Sequence, residues 1–253
     1  MLIDWTPLRH ALAEIRQAGM TLPIWWRDDD ATVPSAALDT LETLAVALNL
    51  PVHLAIIPAQ AKPSLARHMT QSDHLLAMVH GWQHHNHAPS GQKKAEFGTA
   101  RSGASDELHR GIDQMRALFG ARLIPMFVPP WNRIDAAYLI PLARAGYRGL
   151  STFTPRRTTH AADGLMQINT HIDPIDWRGT RDLKTPETLV AQTVDILAAR
   201  AKGQTDASEP LGYLTHHLVH SADVWEFSRQ FVSELLDGGA LPQPIAPLLE
   251  ENT

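Results

Sequence analysis

Leu75-Leu76-Ala77-Met78-Val79-His80-Gly81-Trp82-Gln83-His84-His85-Asn86-His87 passes abruptly from an apolar run of strand length to a polar segment carrying four histidines. His80 stands where the apolar run ends. His80 and His84 lie four apart, a spacing that brings two imidazoles to one side of a helical turn or across a tight loop, within reach of one ion. A solvated loop whose histidines hold nothing is the competing reading of so His-rich a stretch, and the rest of the chain has to decide.

Upstream, residues 4–18 place Leu8, Leu12 and Ile15 on one helical face, with Asp4 or Thr6 as a cap, Pro7 near the first turn and Gly19 as a stop. Leu22-Pro23-Ile24-Trp25-Trp26 reads as a short strand that ends in Arg27-Asp28-Asp29-Asp30. Capping the next helix, marked by Leu38, Leu41, Leu44 and Leu48, uses one acid, so three acids at a strand end need another reason. Residues 51–58 form a second apolar run, and a helix around 64–71 leads into the histidine strand.

Downstream the pattern predicts a helix near 105–119, a strand over 123–128, a helix near 135–145 and a strand over 148–152. A strand over 165–169, a helix over 186–201 and a last strand over 211–216 follow. Gly212, Leu214 and His216 alternate along that last strand, which puts a histidine on its inward face. Trp225, Phe227, Phe231 and Leu235 suit a closing helix, and the Pro-rich end after Gly238 reads as extended. Alternating strands and helices predict βα units with parallel strands, and barrels of this kind assemble their sites at strand C-termini, where the acids and histidines stand. The expectation is one α/β domain over 1–253: an N-terminal helix in 1–20, a TIM-like barrel core in 22–236 and an extension in 238–253.

A chain of 253 residues buries roughly three quarters of its unfolded surface, enough for one large core. Hydrophobic residues at 44% and charged residues at 19% describe a globular protein. Asp4 and the early charges spoil a signal-peptide core, no apolar run is long enough for a membrane span, and the expected location is the cytoplasm. A net charge of −5 without a basic run gives no electrostatic case for nucleic acid or an anionic membrane. With no cysteine in the chain, a bound transition metal has only histidine and carboxylate ligands, a set that suits zinc.

If Asp29, His80 and His84 meet, zinc gains three protein ligands and keeps a fourth position for water or substrate. Asp28, beside it, is the candidate base for that water, and His216 from another strand the candidate acid for the departing group. The implied reaction is metal-assisted hydrolysis of an amide or ester. Two rivals stand against it. One is a catalytically silent module that binds a carbohydrate or a partner on the same barrel. The other is a metal-dependent aminohydrolase barrel, which normally draws a further histidine pair from its first strand, and Trp25-Trp26-Arg27-Asp28-Asp29 has none.

Asp28-Asp29, His80-Gly81-Trp82-Gln83-His84, Phe127-Val128-Pro129-Pro130-Trp131, Asp173-Pro174-Ile175-Asp176-Trp177 and Leu214-Thr215-His216 occur in this order. Together they resemble the five motifs of the polysaccharide deacetylase superfamily, the NodB-homology or carbohydrate esterase family 4 group, over residues 24 to 216. The resemblance implies a distorted (β/α)7 barrel, a divalent metal that is usually zinc, and removal of acyl groups, most often acetyl from amino sugars. It implies Asp28 as general base, Asp29, His80 and His84 as metal ligands, His216 as general acid and Asp176 as the carboxylate that tunes that histidine. The backbone N–H of Trp131 would face the oxyanion, Trp177 would wall the acyl pocket, and Pro130 and Trp82 would contact the substrate, a carbohydrate or another small amide.

Two departures accompany the match. Val128 stands where the family usually has an arginine that orients the base, and Arg133, five residues on, is the candidate replacement and substrate contact. Asp30 stands where a glycine usually follows the acid pair, as a substrate contact or, in preference, a helix cap or a carboxylate just behind the metal ligands. His53, inside an apolar strand, reads as a satisfied core or pocket-lining histidine rather than a ligand.

Overall fold

Apart from three successive strands after the fifth helix, the chain alternates strand and helix in the computed structural model, which describes residues 1–250. The elements are α1 (Thr6–Gln17), β1 (Leu22–Ala31), α2 (Ala36–Leu48), β2 (Val52–Ile56), α3 (Pro63–Met69) and β3 (Leu75–His80). Then come α4 (Ala104–Phe119), β4 (Leu123–Val128), α5 (Leu139–Ala145), β5 (Gly149–Leu150), β6 (His160–Ala162) and β7 (Leu165–Gln167). The last are α6 (Pro186–Ala201), β8 (Leu211–Thr215), α7 (Ala222–Asp237), β9 (Ala240–Pro242) and α8 (Ala246–Glu250). Local chemistry explains the helix ends. Pro7 occupies the first turn of α1, Ser35 Oγ accepts the Leu38 N–H at the start of α2, and Asn49 ends α2 in a left-handed conformation.

The parallel strands run in the order β7-β5-β4-β3-β2-β1-β8. Beyond β7 the backbone continues onto β8: the His171 N–H donates to Gly212 O and the Leu214 N–H to Ile172 O, each at 2.8 Å. These bonds join the two ends of the sheet, so the ring of seven strands meets itself along a short seam, which is the distortion of the barrel. β6 pairs antiparallel with β7, and β9 adds to β1.

Because side chains alternate along a strand, the apolar residues fall into two layers. Trp26, Leu54, Val79, Phe127 and Tyr213 pack beneath the helices, while Trp25, Ala55, Met78, Met126 and Ile168 fill the barrel interior. Ile245 and Leu249 close the interior from below, so part of the C-terminal extension, expected to be extended, is helical and packed. Residues 251–253 of that extension lie outside the described residues. His53 faces this interior: one ring nitrogen donates to Trp26 O at 3.0 Å and the other accepts the Ile245 N–H at 3.3 Å. Burial pushes its pKa down to about 4, the behaviour of a satisfied neutral core histidine. No helix among the described residues is long and apolar enough to cross a membrane.

β1 is longer than its apolar run. The strand does not stop at Trp26 but carries the acids within it, to Ala31. Its pairing with β2 runs Asp29 opposite Ala55 and then Ala31 opposite Ile56, leaving Asp30 as an extra residue in a bulge with φ 78°.

Candidate metal centre and catalytic residues

Alternation decides which acid faces where. Trp25, Arg27 and Asp29 point into the barrel, and Trp26 and Asp28 point toward the helices. Asp28 is fully buried there and accepts from Thr215 Oγ1 at 2.7 Å, His217 N at 2.9 Å and His217 Nδ1 at 2.5 Å. Burial opposes its charge, but His217 outweighs that and holds Asp28 below the usual carboxylate range. Its oxygens are committed and face away from the barrel mouth, so the expectation that Asp28 meets a substrate water is corrected.

Asp29 is the acid that the barrel interior presents. The Arg27 guanidinium, fully buried, donates to both of its oxygens, Nε to Oδ1 at 2.9 Å and Nη2 to Oδ2 at 3.1 Å. Arg27 is itself fixed by Ser151 Oγ at 2.8 Å and Asn132 Oδ1 at 2.6 Å. The carboxylate-orienting arginine is thus supplied by β1, two residues before the acid. Arg133 does not do this work: its Nη1 donates to Lys94 O at the surface.

The bulge turns Asp30 back to the same side as Asp29, and Asp30 rather than Asp29 converges with the two histidines. Asp30 Oδ1 lies 3.2 Å from His80 Nε2 and 3.4 Å from His84 Nε2, and one ligand atom from each of the three residues falls within 4.8 Å of the others. His80 Nδ1 donates to Val128 O at 3.0 Å, which leaves the Nε2 lone pair aimed at Asp30. Asp30 Oδ1 is buried without a hydrogen-bond partner among the described residues. Acceptors this close repel unless a proton or a cation sits between them. A nitrogen, nitrogen, oxygen set of this kind fits zinc with a coordination place left over. Burial opposes the charge of Asp30, yet His80, His216 and His84 outweigh it and hold its pKa well below the ordinary value.

The histidine loop is held from below by a residue that sequence patterns do not mark. Glu96, fully buried, accepts the backbone N–H groups of Trp82 at 3.1 Å, Gln83 at 2.9 Å and His85 at 3.4 Å. Gly81, at φ 57°, passes so close that a side chain there would strike Glu96 and Pro130. His84 takes a left-handed conformation at φ 59°, and its ring lies 4.3 Å from that of Trp131. Trp131 and Asn132 are both left-handed, at φ 57°, in the turn after β4.

His216 stands at the end of β8 with its Nε2 3.9 Å from Asp29 Oδ2. Trp177 packs edge-on against it at 4.7 Å between ring centres, and the Trp177 indole N–H donates to Asp173 Oδ2 at 2.8 Å. Asp176, expected to tune His216, instead accepts backbone N–H groups of its own turn, from Arg178 and Gly179, and His216 Nδ1 has no partner among the described residues. Asp173, of the same motif, is linked to the histidine's surroundings by the Trp177 indole that it accepts. Trp82 lies under Arg110 of α4, 4.9 Å from its guanidinium, which occupies one face of the ring.

Sequence comparison finds no matching family model and no matching curated protein. A protein of Mycobacterium smegmatis assigned to the polysaccharide deacetylases superposes with a TM-score of 0.66 at 17% identity, over 92% of this chain and 90% of its own. The chain has the polysaccharide deacetylase fold. A peptidoglycan deacetylase of Bacillus subtilis matches with a TM-score of 0.55 at 14% identity, over 91% of both chains. A family 4 carbohydrate esterase of Streptomyces lividans, solved with acetate, matches with a TM-score of 0.53 at 14% identity, over 89% of this chain and 94% of its own. The expectation of a barrel of the polysaccharide deacetylase type is met, and the low identities agree with a divergent sequence.

Proposed function

We propose that the protein is a metal-dependent deacylase that hydrolyses the acyl–nitrogen bond of an acylated amino sugar or a similar small amide. The observation that carries this reading is the convergence of Asp30, His80 and His84 on one point, with the Arg27-held Asp29 and His216 beside them. The names of the fold's neighbours, polysaccharide and peptidoglycan deacetylases, support the substrate class.

Asp30, His80 and His84 would hold the ion, zinc by the nature of the donors. When bound, it polarises the acyl carbonyl and lowers the pKa of water. Asp29, its carboxylate held in one orientation by Arg27, takes the proton of the attacking water. His216 Nε2 delivers a proton to the departing nitrogen, and Trp177 fixes the ring plane of that histidine. The backbone N–H of Trp131 meets the negative charge that develops on the carbonyl oxygen, an interaction that strengthens toward the transition state. Asp28 orders the strand end through His217 and Thr215 and touches no reacting atom.

Elemental analysis together with acetate and formate release from acylated amino sugars tests this division of labour. Asp30→Ala is expected to lose both metal and turnover, Asp29→Asn to keep the metal and lose turnover by about 10²-fold or more. Equal metal loss in the two variants would overturn the assignment. A protein that stays metal-free and inert after zinc is added would return the reading to a carbohydrate-binding module.

A further inference from the structure

Beside the Arg27–Asp29 pair opens a cleft of about 590 Å³, a size that receives a small molecule. Asn132 joins the two: its Oδ1 accepts from Arg27, and it lines the cleft. Thr152, whose carbonyl accepts from Arg27 Nη1, lines the cleft as well. Whatever acyl group sits against Asp29, the remainder of its molecule has this space at hand.

The cleft is one-sided in charge. Arg133 and Arg157 line it and no acidic residue does. Arg133 uses one donor on the Lys94 carbonyl, and neither arginine forms an ion pair with a carboxylate among the described residues. Arg156 lines the cleft too but is neutralised by Asp206 at 2.8 Å. On a chain of net charge −5, two unpaired guanidinium groups on one recess stand out. The wall beside them is also held in an uncommon conformation. Thr154, β-branched, has φ 79°, a conformation costing about 1–3 kcal/mol that persists where the surroundings enforce it. Here Thr170 O and the Asn169 side-chain amide clamp its backbone.

We infer that this cleft binds an anionic group, phosphate or carboxylate, on the acylated substrate, so that the protein acts on a charged amino sugar rather than a neutral one. The inference rests on the deacylase reading for the position of the amide and on Arg133 and Arg157 for the charge. Arginine suits the task because its planar fork donates two hydrogen bonds to one phosphate or carboxylate.

Calorimetric binding to the Asp29→Asn protein, which holds ligand without consuming it, supplies the test. N-acetylglucosamine serves as the neutral probe, its 6-phosphate and N-acetylmuramic acid as the two anionic ones. At least one anionic probe is expected to bind about tenfold tighter than the neutral sugar, with the advantage shrinking as salt is raised to about 0.5 M. It should fall below about twofold in the Arg133→Ala/Arg157→Ala background. The arm that responds distinguishes phosphate from carboxylate. Arg157→Ala alone, at an exposed side chain with no partner to lose, guards against a folding defect and should remove part of the preference. Equal affinity for all three sugars, or a preference that survives removal of both arginines, overturns the inference. Turnover of neutral sugar by the wild-type protein in that case leaves the deacylase reading intact, whereas arginine-dependent binding without any acyl release under zinc overturns the deacylase reading alone.

Discussion

Replacing Arg27 with methionine isolates the interaction on which the proposed base depends. In the folded protein the guanidinium is fully buried, gives two hydrogen bonds to Asp29 and others to Ser151 and Asn132. Arg27→Met keeps much of the side-chain volume but strands the Asp29 carboxylate, only 3% exposed, without its counter-charge. Removing one partner of a buried pair costs about 3–5 kcal/mol. At roughly 2 °C per kcal/mol for a domain of this size, the thermal midpoint should fall by about 6–10 °C. Replacing both partners, Arg27→Met with Asp29→Leu, removes the stranded charge together with its cause, and the double variant should recover at least half of that loss. If Asp29→Leu alone costs as much as Arg27→Met, urea denaturation of the wild type, both single variants and the double variant gives a coupling of at least about 4 kcal/mol. Additive losses, or a cost below about 1 kcal/mol for Arg27→Met, would show that Asp29 does not rely on Arg27, and the reasoning that makes it an oriented base would fall.

Two further expectations follow from buried groups. His53, with a pKa of about 4 in the fold against 6.5 when free, binds its proton in the unfolded chain first. Its contribution is complete above pH 6.5 and declines as pH falls toward 4, with about 2 kcal/mol lost by about pH 5. Urea midpoints at several pH values should show this slope, and His53→Gln should flatten it; an unchanged slope would assign the acid sensitivity elsewhere. Gly81→Ala places a methyl group 2.2 Å from Glu96 Oε2 at a backbone φ of 57°, and should cost about 2 kcal/mol or more. Metal affinity should fall with it, because the same loop carries His84; calorimetry showing normal stability and normal zinc binding would contradict the close approach.

The elements of the barrel were readable because each strand is a short apolar run and each helix repeats leucines on one face. The His80 and His84 pair was suggested by its spacing, but that spacing alone did not separate it from an idle solvated loop. The acids were harder. Period-two alternation, the rule that placed His216 inward, also puts Arg27 and Asp29 together on the inner face of β1 and sends Asp28 outward; applied there, it would have found the arginine missing from position 128. No such rule announces the bulge, since the strand ends one residue after it and leaves no further alternation whose shift could be read. Nor does any pattern announce Glu96, whose role is to accept three backbone N–H groups from a loop with no periodicity. The turn chemistry around Asp176 misled for a related reason: a carboxylate can serve its own backbone as readily as a distant imidazole.

The two neighbouring acids share one side of β1 only because the ladder there carries a supernumerary residue. Excision of one codon at that place would straighten the pairing and take the second acid away from the two histidines. A one-residue change in length would therefore undo the cluster of Asp30, His80 and His84 without altering either histidine.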